Sequence, residues 1–224
     1  MIAEFIGTFV LVVAATVPIV LDAQSHSVGL LAIAFSPAIA VGFLVYAFGK
    51  ISGAHFNPAM SLGLLINRSI TLKEFPLYSA VQITGAILAS ILVLYAIGSD
   101  AYLGANFPSN NIGLATIFLV EILLTFLLMG VILTAVHTKG LRGFGGTAIG
   151  LIIGLDILFG GNISGASMNP ARSLAPALVS GNFGSLWIYW TATFIGAVIV
   201  VFAYKVIETK ILKTKKSSKT RSVE

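Results

Sequence analysis

The stretch ISGAHFNPAMSL at residues 51–62 recurs as ISGASMNPARSL at residues 163–174, with nine of the twelve positions identical. The two copies are 112 residues apart, which is half the length of the 224-residue chain. Each copy places polar residues and a proline between long apolar runs. Self-similarity at a fixed spacing indicates an internal repeat. The sequence therefore predicts two related halves, each with one copy of this polar segment.

The composition excludes an ordinary water-soluble domain. Hydrophobic residues make up 57% of the chain and charged residues only 9%, and the mean hydropathy is +1.01. Soluble domains carry about 25% charged residues, so this chain lacks the polar residues to cover a globule. The net charge of +5 does not indicate nucleic-acid binding, because seven of the thirteen Lys and Arg residues lie at 205–224. Residues 1–204 hold six basic and six acidic residues, as expected of a neutral membrane body with a basic tail.

Six apolar segments are long enough to cross a bilayer, which takes about 20 residues. They lie at about 3–21, 28–49, 75–97, 112–136, 143–160 and 186–207. Basic residues follow the even-numbered segments: Lys50, Arg68 and Lys73, then Lys139 and Arg142, then the tail. The connections 22–27 and 98–111 contain none. The positive-inside rule then predicts a multi-pass protein of the cell membrane with both termini in the cytoplasm.

The repeated segments each predict a short helix that cannot cross the membrane alone. The stretches 58–66 and 170–179 would extend about 14–15 Å as helices, so two placed end to end would cover the hydrocarbon core of about 30 Å. Asn57 and Asn169, each followed by proline, are favourable helix starts. The Gly- and Ser-rich residues before each Asn predict irregular backbone, which is tolerated at membrane depth where it lines a water-filled cavity.

The two halves also match outside the repeated segments. AEFIGTF at 3–9 parallels VEILLTF at 120–126 and aligns Glu4 with Glu121. Each half has three spans, an odd number, so the second half is inserted upside down relative to the first. The predicted fold is an all-α membrane protein with six transmembrane helices and two re-entrant half-helices in an inverted three-plus-three repeat. This architecture is typical of transport proteins.

The paired motifs Asn57-Pro58-Ala59 and Asn169-Pro170-Ala171, the second followed by Arg172-Ser173, resemble those of the aquaporins, or major intrinsic proteins. The resemblance extends to about residue 207. It implies a channel domain at 1–207, with repeats at about 1–97 and 112–207, and a basic cytoplasmic tail at 208–224. It also implies a passive channel rather than an enzyme, a homotetramer in the lipid bilayer with one pore in each subunit, and no cofactor or nucleic-acid partner.

The resemblance assigns roles to the residues around these motifs. Asn57 and Asn169 cap the facing half-helices and present N–H donors to the pore centre, while backbone carbonyls before each Asn accept hydrogen bonds from the water file. Each half-helix N-terminus carries about +0.5 charge, which repels cations. Glu4, Glu121 and His55 brace the re-entrant loops by hydrogen bonds. No second His or Cys is placed to join His55, so no metal site is expected.

Aquaporins narrow near the outer face at four positions, which correspond here to Pro37, Ile157, Ala166 and Arg172. Strict water channels typically have Phe and His at the first two, and glycerol channels an aromatic and Gly; this chain has neither pair. We therefore expect a wider, less polar filter that conducts water and small neutral solutes such as glycerol, urea or ammonia. A kink at Pro37 would instead present Ser36.

Three alternatives stay open at the sequence level. The first is a strictly water-selective aquaporin. It is favoured because four residues match the water-channel pattern of the family: Ser173, Ala177, Tyr189 and Trp190. A secondary transporter would share the inverted repeat, but it needs a coupling site, and the midspan acids are better explained as braces. Asp156 is not typical of the family, and it is expected either to perturb the outer vestibule or to pair at a subunit contact.

Overall fold

The structure is a computed structural model that describes residues 1–137 and 143–221. Its helical elements are α1 (Ile2–Ser25), α2 (Gly29–Ser52), α3 (Pro58–Ile66), α4 (Glu74–Ile97), α5 (Asp100–Gly104), α6 (Leu114–His137), α7 (Gly145–Ser164), α8 (Pro170–Ser180) and α9 (Leu186–Arg221). Six of these helices, α1, α2, α4, α6, α7 and α9, are long and apolar enough to cross a membrane. The all-α prediction with six spanning segments is confirmed. Lys139, Arg142 and the last three residues of the predicted tail lie outside the described residues.

The spanning helices that precede the repeated segments run further than predicted. α2 continues to Ser52 and α7 to Ser164, beyond the predicted ends at 49 and 160. Each ends at a glycine in the left-handed conformation, with φ of 85° at Gly53 and 89° at Gly165. These glycines act as helix C-caps and donate their N–H groups to carbonyls one turn earlier. The predicted ends were too early because hydropathy shows only where the apolar residues stop. The helices themselves end at the glycine C-caps.

The helix packing follows the predicted internal symmetry. α1 packs against α4 and, in the second half, α6 packs against α9, while α2 and α7 pack against each other between them. The same close approach occurs in both halves: a β-carbon added to Gly85 would lie 2.5 Å from the carbonyl oxygen of Phe5, and one added to Gly196 would lie 2.5 Å from that of Ile122. Only glycine allows backbones to approach this closely.

The two short helices α3 and α8 lie inside the bundle, and each begins at the proline of its motif. They contact one another, and both also contact α4 and α9. Lys205 of α9 donates from Nζ to the carbonyl oxygen of Ile66, the last residue of α3, at 2.6 Å. A cation at a helix C-terminus interacts favourably with the helix dipole. The short helices are thus held by the spanning helices around them.

Candidate functional site

The two Asn residues of the motifs cap the short helices in the same way. Each lies in extended backbone, with φ and ψ of −160° and 121° at Asn57 and −146° and 110° at Asn169. The Oδ1 atom of Asn57 accepts hydrogen bonds from the second and third following N–H groups at 2.8 and 3.4 Å. The corresponding distances at Asn169 are 3.0 and 3.4 Å. Both caps satisfy N–H groups that have no partner within the helix.

The amide nitrogens of the same two residues connect the loops to each other. Nδ2 of Asn57 donates to the carbonyl oxygen of Met168 at 2.7 Å, and Nδ2 of Asn169 donates to that of Phe56 at 2.9 Å. The carbonyls directly before the two Asn residues are therefore not wholly open to a water file, because each already accepts one hydrogen bond. An amide carries two N–H donors and a carbonyl two lone pairs, so each group retains one for water.

The backbone before each motif is strained in the same pattern. Residues with positive φ occur at corresponding places in both loops: Gly53, Ala54 and Phe56, then Gly165, Ala166 and Met168. A left-handed conformation costs roughly 1–2 kcal/mol for a residue other than glycine. Such conformations persist where the surrounding structure fixes them. The bonds that fix these loops come largely from two buried carboxylates.

In the first loop the carboxylate is that of Glu4, which is fully buried on α1. Its Oε1 accepts from Ser52 Oγ at 2.6 Å and from the N–H of His55 at 3.0 Å. Its Oε2 accepts from the N–H of Phe56 at 2.7 Å and from Gln82 Nε2 at 2.8 Å. Gln82, which sequence reasoning missed, lies within a spanning helix, where only the burial of a polar side chain signals such a partner.

In the second loop the carboxylate is that of Glu121 on α6, also fully buried. Ser164 Oγ donates to it at 2.6 Å, and the N–H groups of Ser167 and Met168 donate at 2.9 and 3.2 Å. This set repeats three of the four donors to Glu4. Both carboxylates thus contact the loops for which a bracing role is expected.

His55 is a residue of the first loop, and its side chain contacts α3 and α4. Its Nδ1 is 3.1 Å from Ser61 Oγ, and its ring centroid is 4.7 Å from that of Tyr78. Burial lowers the pKa of His55 below its ordinary value and outweighs the opposing effect of the Glu4 carboxylate. The imidazole is therefore neutral at pH 7. Among residues 1–137 and 143–221 no group of three or more His, Cys, Asp or Glu side chains could hold a metal ion.

Two tyrosines support the helix ends next to the loops: Tyr78, which sequence reasoning missed, and Tyr189, which it matched only to the water-channel pattern. Tyr78 donates from its hydroxyl to the carbonyl oxygen of Ser52 at 2.7 Å, and Tyr189 does the same to Ser164 at 2.6 Å. Both side chains are buried. They lie 111 residues apart, one residue less than the 112-residue offset of the repeated segments, and this near-match is the signal that could have paired them.

Three cavities lie in series through the bundle. The first cavity, of about 500 Å³, is lined by residues that include Lys50, His55 and Asn57. We call it the inner cavity, because Lys50 belongs to the connections predicted to face the cytoplasm. The central cavity of about 50 Å³ shares Asn57 and Val41 with it. The outer cavity of about 240 Å³ shares Ala166 and Arg172 with the central one. The shared lining residues show that the three cavities adjoin one another, and the central cavity has the smallest volume of the three.

All four expected filter residues line the central cavity, together with both motif Asn side chains: Pro37, Ile157, Ala166, Arg172, Asn57 and Asn169. Ile157, Ala166 and Arg172 also line the outer cavity. Pro37, and not the neighbouring Ser36, is among the residues that border the central cavity. The structure therefore brings the sequence-predicted residues together around the smallest of the three cavities.

The guanidinium of Arg172 is held by the connection between α4 and α6. The sequence of this connection did not predict the contact. Nη1 of Arg172 donates to the carbonyl oxygen of Gly104 at 2.8 Å, and Arg172 is buried. Gly104 ends α5, a turn whose residues 101–103 all have left-handed φ and ψ. A backbone carbonyl has no sequence signature, so the segment 98–111 was predicted only as an outer connection without basic residues.

The same connection also contacts the second loop through Asn106. Asn106 Nδ2 donates to the carbonyl oxygen of Gly165 at 2.7 Å, and its Oδ1 accepts from Ser173 Oγ at 2.8 Å. Ser173 Oγ in turn bonds to Ser167 Oγ. The backbone and side chains of this connection thus fix both Arg172 and the loop before it.

We expect Gly104→Ala to disturb the position of Arg172. Gly104 has φ of 69°, and an added β-carbon would lie 2.9 Å from the Cα, Cβ and O atoms of Thr16. The backbone must shift, and its carbonyl then moves away from the guanidinium. We expect about a threefold or larger change in the ratio of glycerol to water permeability in stopped-flow measurements on proteoliposomes.

Gly181→Ala is the matched control, because Gly181 has φ of 75° but open space around it. Both variants incur the backbone penalty of a left-handed alanine, roughly 1–2 kcal/mol. Only the variant at Gly104 also disturbs the filter. Equal permeability ratios in the two variants would contradict the positioning role of Gly104.

The structure supports neither interpretation of Asp156. Its side chain is only 3% exposed, which places it inside the subunit rather than at a subunit contact. It is not among the residues that line the inner, central or outer cavity. Its Oδ2 has no hydrogen-bond partner in the structure. Asp156 directly precedes Ile157 in the sequence, but successive helix residues face different directions.

Comparisons with known proteins agree with this geometry. The family profile described as "Major intrinsic protein" matches residues 1–204. The chain is similar to "Aquaporin NIP3-1" of Arabidopsis thaliana, with 39% identity over 97% of this chain and 68% of that protein. It is similar to "Glycerol uptake facilitator protein-like 6" of Lactiplantibacillus plantarum, with 38% identity over 92% of this chain and 96% of that protein.

A solved structure shares the fold. The X-ray structure of the aquaglyceroporin from Plasmodium falciparum superposes with a TM-score of 0.79 at 26% identity, covering 95% of this chain and 97% of that one. The residues matched by the family profile include both motif loops. This chain therefore belongs to the major intrinsic protein family.

Proposed function

We propose that this chain is a passive membrane channel that conducts water and small neutral solutes, such as glycerol, urea or ammonia, and excludes protons and ions. Proteins of its family are channels rather than enzymes. Relatives named as an aquaporin and as a glycerol uptake facilitator support both kinds of permeant. The observation that carries the proposal is the series of three adjoining cavities, with Arg172 and the two motif Asn residues around the smallest of them.

The central cavity combines one charged donor with apolar walls. Pro37, Ile157 and Ala166 offer no hydrogen-bonding side chain, whereas Arg172 offers guanidinium N–H groups. A neutral solute that enters loses part of its hydration, and an unmet polar group costs roughly 1–3 kcal/mol. Arg172, the Asn amides and the loop carbonyls replace some of these bonds. The apolar wall contacts the carbon side of a solute such as glycerol.

Ion exclusion follows from the charges along the same path. Arg172 and the N-termini of α3 and α8 place positive potential at the central cavity, and each helix terminus carries about +0.5 charge. Among the described residues no acidic side chain lines this cavity. Moving an unpaired ion into a low-dielectric site costs tens of kcal/mol by Born estimates, so cations have no compensating partner here.

The assembly and the orientation belong to the same proposal. The family likeness supports a homotetramer of subunits with separate pores, in the cell membrane. The distribution of Lys and Arg residues supports cytoplasmic termini, because both the tail and the basic connections lie on one side. It also supports the division into a channel domain at 1–207 and a basic tail at 208–224.

Stopped-flow measurements on proteoliposomes test the function directly. We expect water, and at least one of glycerol, urea and ammonia, to permeate faster than through empty liposomes. The flux should be linear in concentration and independent of a proton or sodium gradient. Passage of water alone would favour the strictly water-selective alternative, and saturable, gradient-coupled flux would favour a secondary transporter.

Ile157→His is expected to make the channel more selective for water. Ile157 lines both the central and the outer cavity, so an imidazole there adds a polar group to the filter. We expect glycerol flux to fall about tenfold and water flux to change by less than about threefold, because the imidazole replaces the apolar wall that a solute contacts. Ile157→Leu is the matched control, and it should retain glycerol flux. Equal losses of water and glycerol flux in Ile157→His would contradict the filter role.

A further inference from the structure

Part of the wall of the outer cavity comes from the connection 98–111, between α4 and α6. Phe107 of this connection lines the cavity together with the filter residues Ile157, Ala166 and Arg172. Phe107 is 37% exposed, so other residues cover it only in part. Among the described residues that line the outer cavity it is the only aromatic one, and none of those that line the central cavity is aromatic. Phe107 therefore gives the approach to the filter an aromatic surface that the filter itself lacks.

The residue before Phe107 is anchored to the second loop. Asn106 is only 7% exposed, and its side chain bonds to the carbonyl oxygen of Gly165 at 2.7 Å and to Ser173 Oγ at 2.8 Å. A β-carbon added to Gly165 would lie 3.2 Å from the backbone nitrogen of Phe107, so the connection and the loop are in close contact. The backbone of Phe107 thus has a defined place beside the loop that carries Ala166.

The residues after Phe107 restrict it as well. The N–H of Ser109 donates to the carbonyl oxygen of Ile163, near the end of α7, at 3.1 Å. Pro108 lies between them, and a proline fixes its own φ and disfavours helical backbone in the residue before it. The ring of Phe107 packs against Tyr102, with the ring centroids 4.9 Å apart. A side chain that is already held in place loses little freedom when a solute binds against it.

Polar groups lie in the same cavity as this ring. The Arg172 guanidinium has five N–H donors, and its bond to the Gly104 carbonyl uses one of them. Asn162, an exposed residue of α7, also lines the cavity and carries an amide that both donates and accepts. The outer cavity thus combines hydrogen-bonding groups with the apolar surface of Phe107.

A small polyol matches both surfaces of the outer cavity. Its hydroxyl oxygens accept hydrogen bonds from guanidinium N–H groups, and its C–H groups cover part of the apolar surface of Phe107. Removal of apolar surface from water is favourable by about 25 cal/mol per Å². Water and ammonia have no carbon atoms, so they gain nothing of this kind at Phe107. An aromatic residue in this place therefore distinguishes permeants by whether they have a carbon side.

We propose that Phe107 is a specificity-determining residue of the channel. It binds the carbon side of a small polyol, such as glycerol, in the outer cavity, and so favours the entry of the polyol into the filter over that of water or ammonia. This inference rests on the proposed function, since it concerns the solutes that the channel conducts. Phe107 is not among the residues that line the central cavity, so it acts before the filter and does not narrow it.

Phe107→Ala removes the aromatic surface, and its effect is measured by stopped flow on proteoliposomes. We expect glycerol permeability to fall about fivefold, while the permeabilities of water and ammonia change by less than about twofold. Phe107→Tyr retains the ring and is expected to retain glycerol permeability. Phe183→Ala is the matched control, because Phe183 is an exposed aromatic residue that lines none of the three cavities.

Three results would overturn the proposal. Unchanged glycerol permeability in Phe107→Ala would show that the ring does not bind the solute. A rise in glycerol permeability would show that the ring is a steric barrier. An equal fall for glycerol, water and ammonia would show that Phe107 only supports the structure of the connection.

A second measurement separates this proposal from the proposed solute range. Exchange of water for heavy water is followed with molar glycerol on both sides of the membrane, relative to empty liposomes in the same solution. Glycerol bound in the outer cavity blocks water there, whether or not it passes the filter. We expect glycerol to slow the exchange about twofold in wild type and in Phe183→Ala, and by less than half as much in Phe107→Ala.

The two proposals then fail in different ways. If wild type excludes glycerol but shows this difference from Phe107→Ala, the proposed solute range is wrong and Phe107 still binds the polyol. If wild type conducts glycerol and glycerol slows water exchange equally in wild type and Phe107→Ala, the role of Phe107 is wrong and the channel function stands.

Discussion

Arg172→Val is expected to raise proton and cation conductance from background to a level at least tenfold above wild type. Among the described residues, Arg172 is the only charged one that lines the central cavity. A unit charge about 4 Å from a permeating cation contributes a repulsion of about 4 kcal/mol at an effective dielectric constant of 20. Removing it leaves only the weaker helix termini as a barrier, and the smaller valine also widens the cavity. Proton flux is measured with a pH-sensitive dye trapped in proteoliposomes.

Two control variants separate the effect of the Arg172 charge from the effect of its size and from the effect of removing any cation that lines a cavity. Arg172→Lys retains the charge with a single ammonium group and is expected to stay closed to protons. Lys50→Val removes a positive charge from the wide inner cavity and is expected to leave proton flux at background. If the proton flux of Arg172→Val stays at the wild-type level, the paired helix termini alone suffice to exclude protons, and the predicted role of Arg172 is wrong.

Glu121→Leu is expected to lower the free energy of unfolding by about 3–5 kcal/mol. It removes the acceptor for Ser164 Oγ and for the N–H groups of Ser167 and Met168. A buried donor left without a partner costs roughly 1–3 kcal/mol. The strained loop then loses the bonds that fix it, so both the unfolding temperature of the purified protein and its water permeability should fall.

Glu74→Gln is the matched control for this prediction. Glu74 is a half-buried residue at the start of α4 whose carboxylate accepts hydrogen bonds from the N–H and Oγ1 of Thr71. Capping bonds of this kind contribute about 1 kcal/mol. We also expect Glu4→Leu to be at least as destabilising as Glu121→Leu, because Gln82 adds a fourth donor to Glu4. An unfolding temperature of Glu121→Leu within about 2 °C of that of Glu74→Gln would contradict the bracing role.

The sequence allowed the fold and much of the site to be predicted because these parts depend on local chemistry and on repetition. Asn followed by proline marked both short helices, and the six apolar segments marked the spans. Parallel positions in the two halves identified Glu4 and Glu121. In each case the signal was a side chain whose type reflects its role.

The features that escaped prediction depend on the backbone or on long-range contacts. Gly104 contacts Arg172 through a carbonyl, which every residue has, and its left-handed turn includes Ala101 and Leu103, which carry no turn signal. Gln82 meets Glu4 from another helix, 78 residues away. Asp156, for which the outer vestibule and a subunit contact were the alternatives, is instead buried inside the subunit and lines none of the three cavities. The contacts of Gly104 with Arg172 and of Gln82 with Glu4 form only when the helices pack, so no local sequence pattern predicts them.

The reciprocal bonds between Asn57 and Met168 and between Asn169 and Phe56 also constrain how the protein is made. When the first loop emerges during synthesis, its partners have not yet been translated, since they lie 111 and 113 residues further along. Until then the Asn57 amide and the Phe56 carbonyl must remain hydrated in a half-built bundle. The centre of the protein is thus completed only after the second half has inserted, and a chain truncated before Asn169 cannot form a functional half.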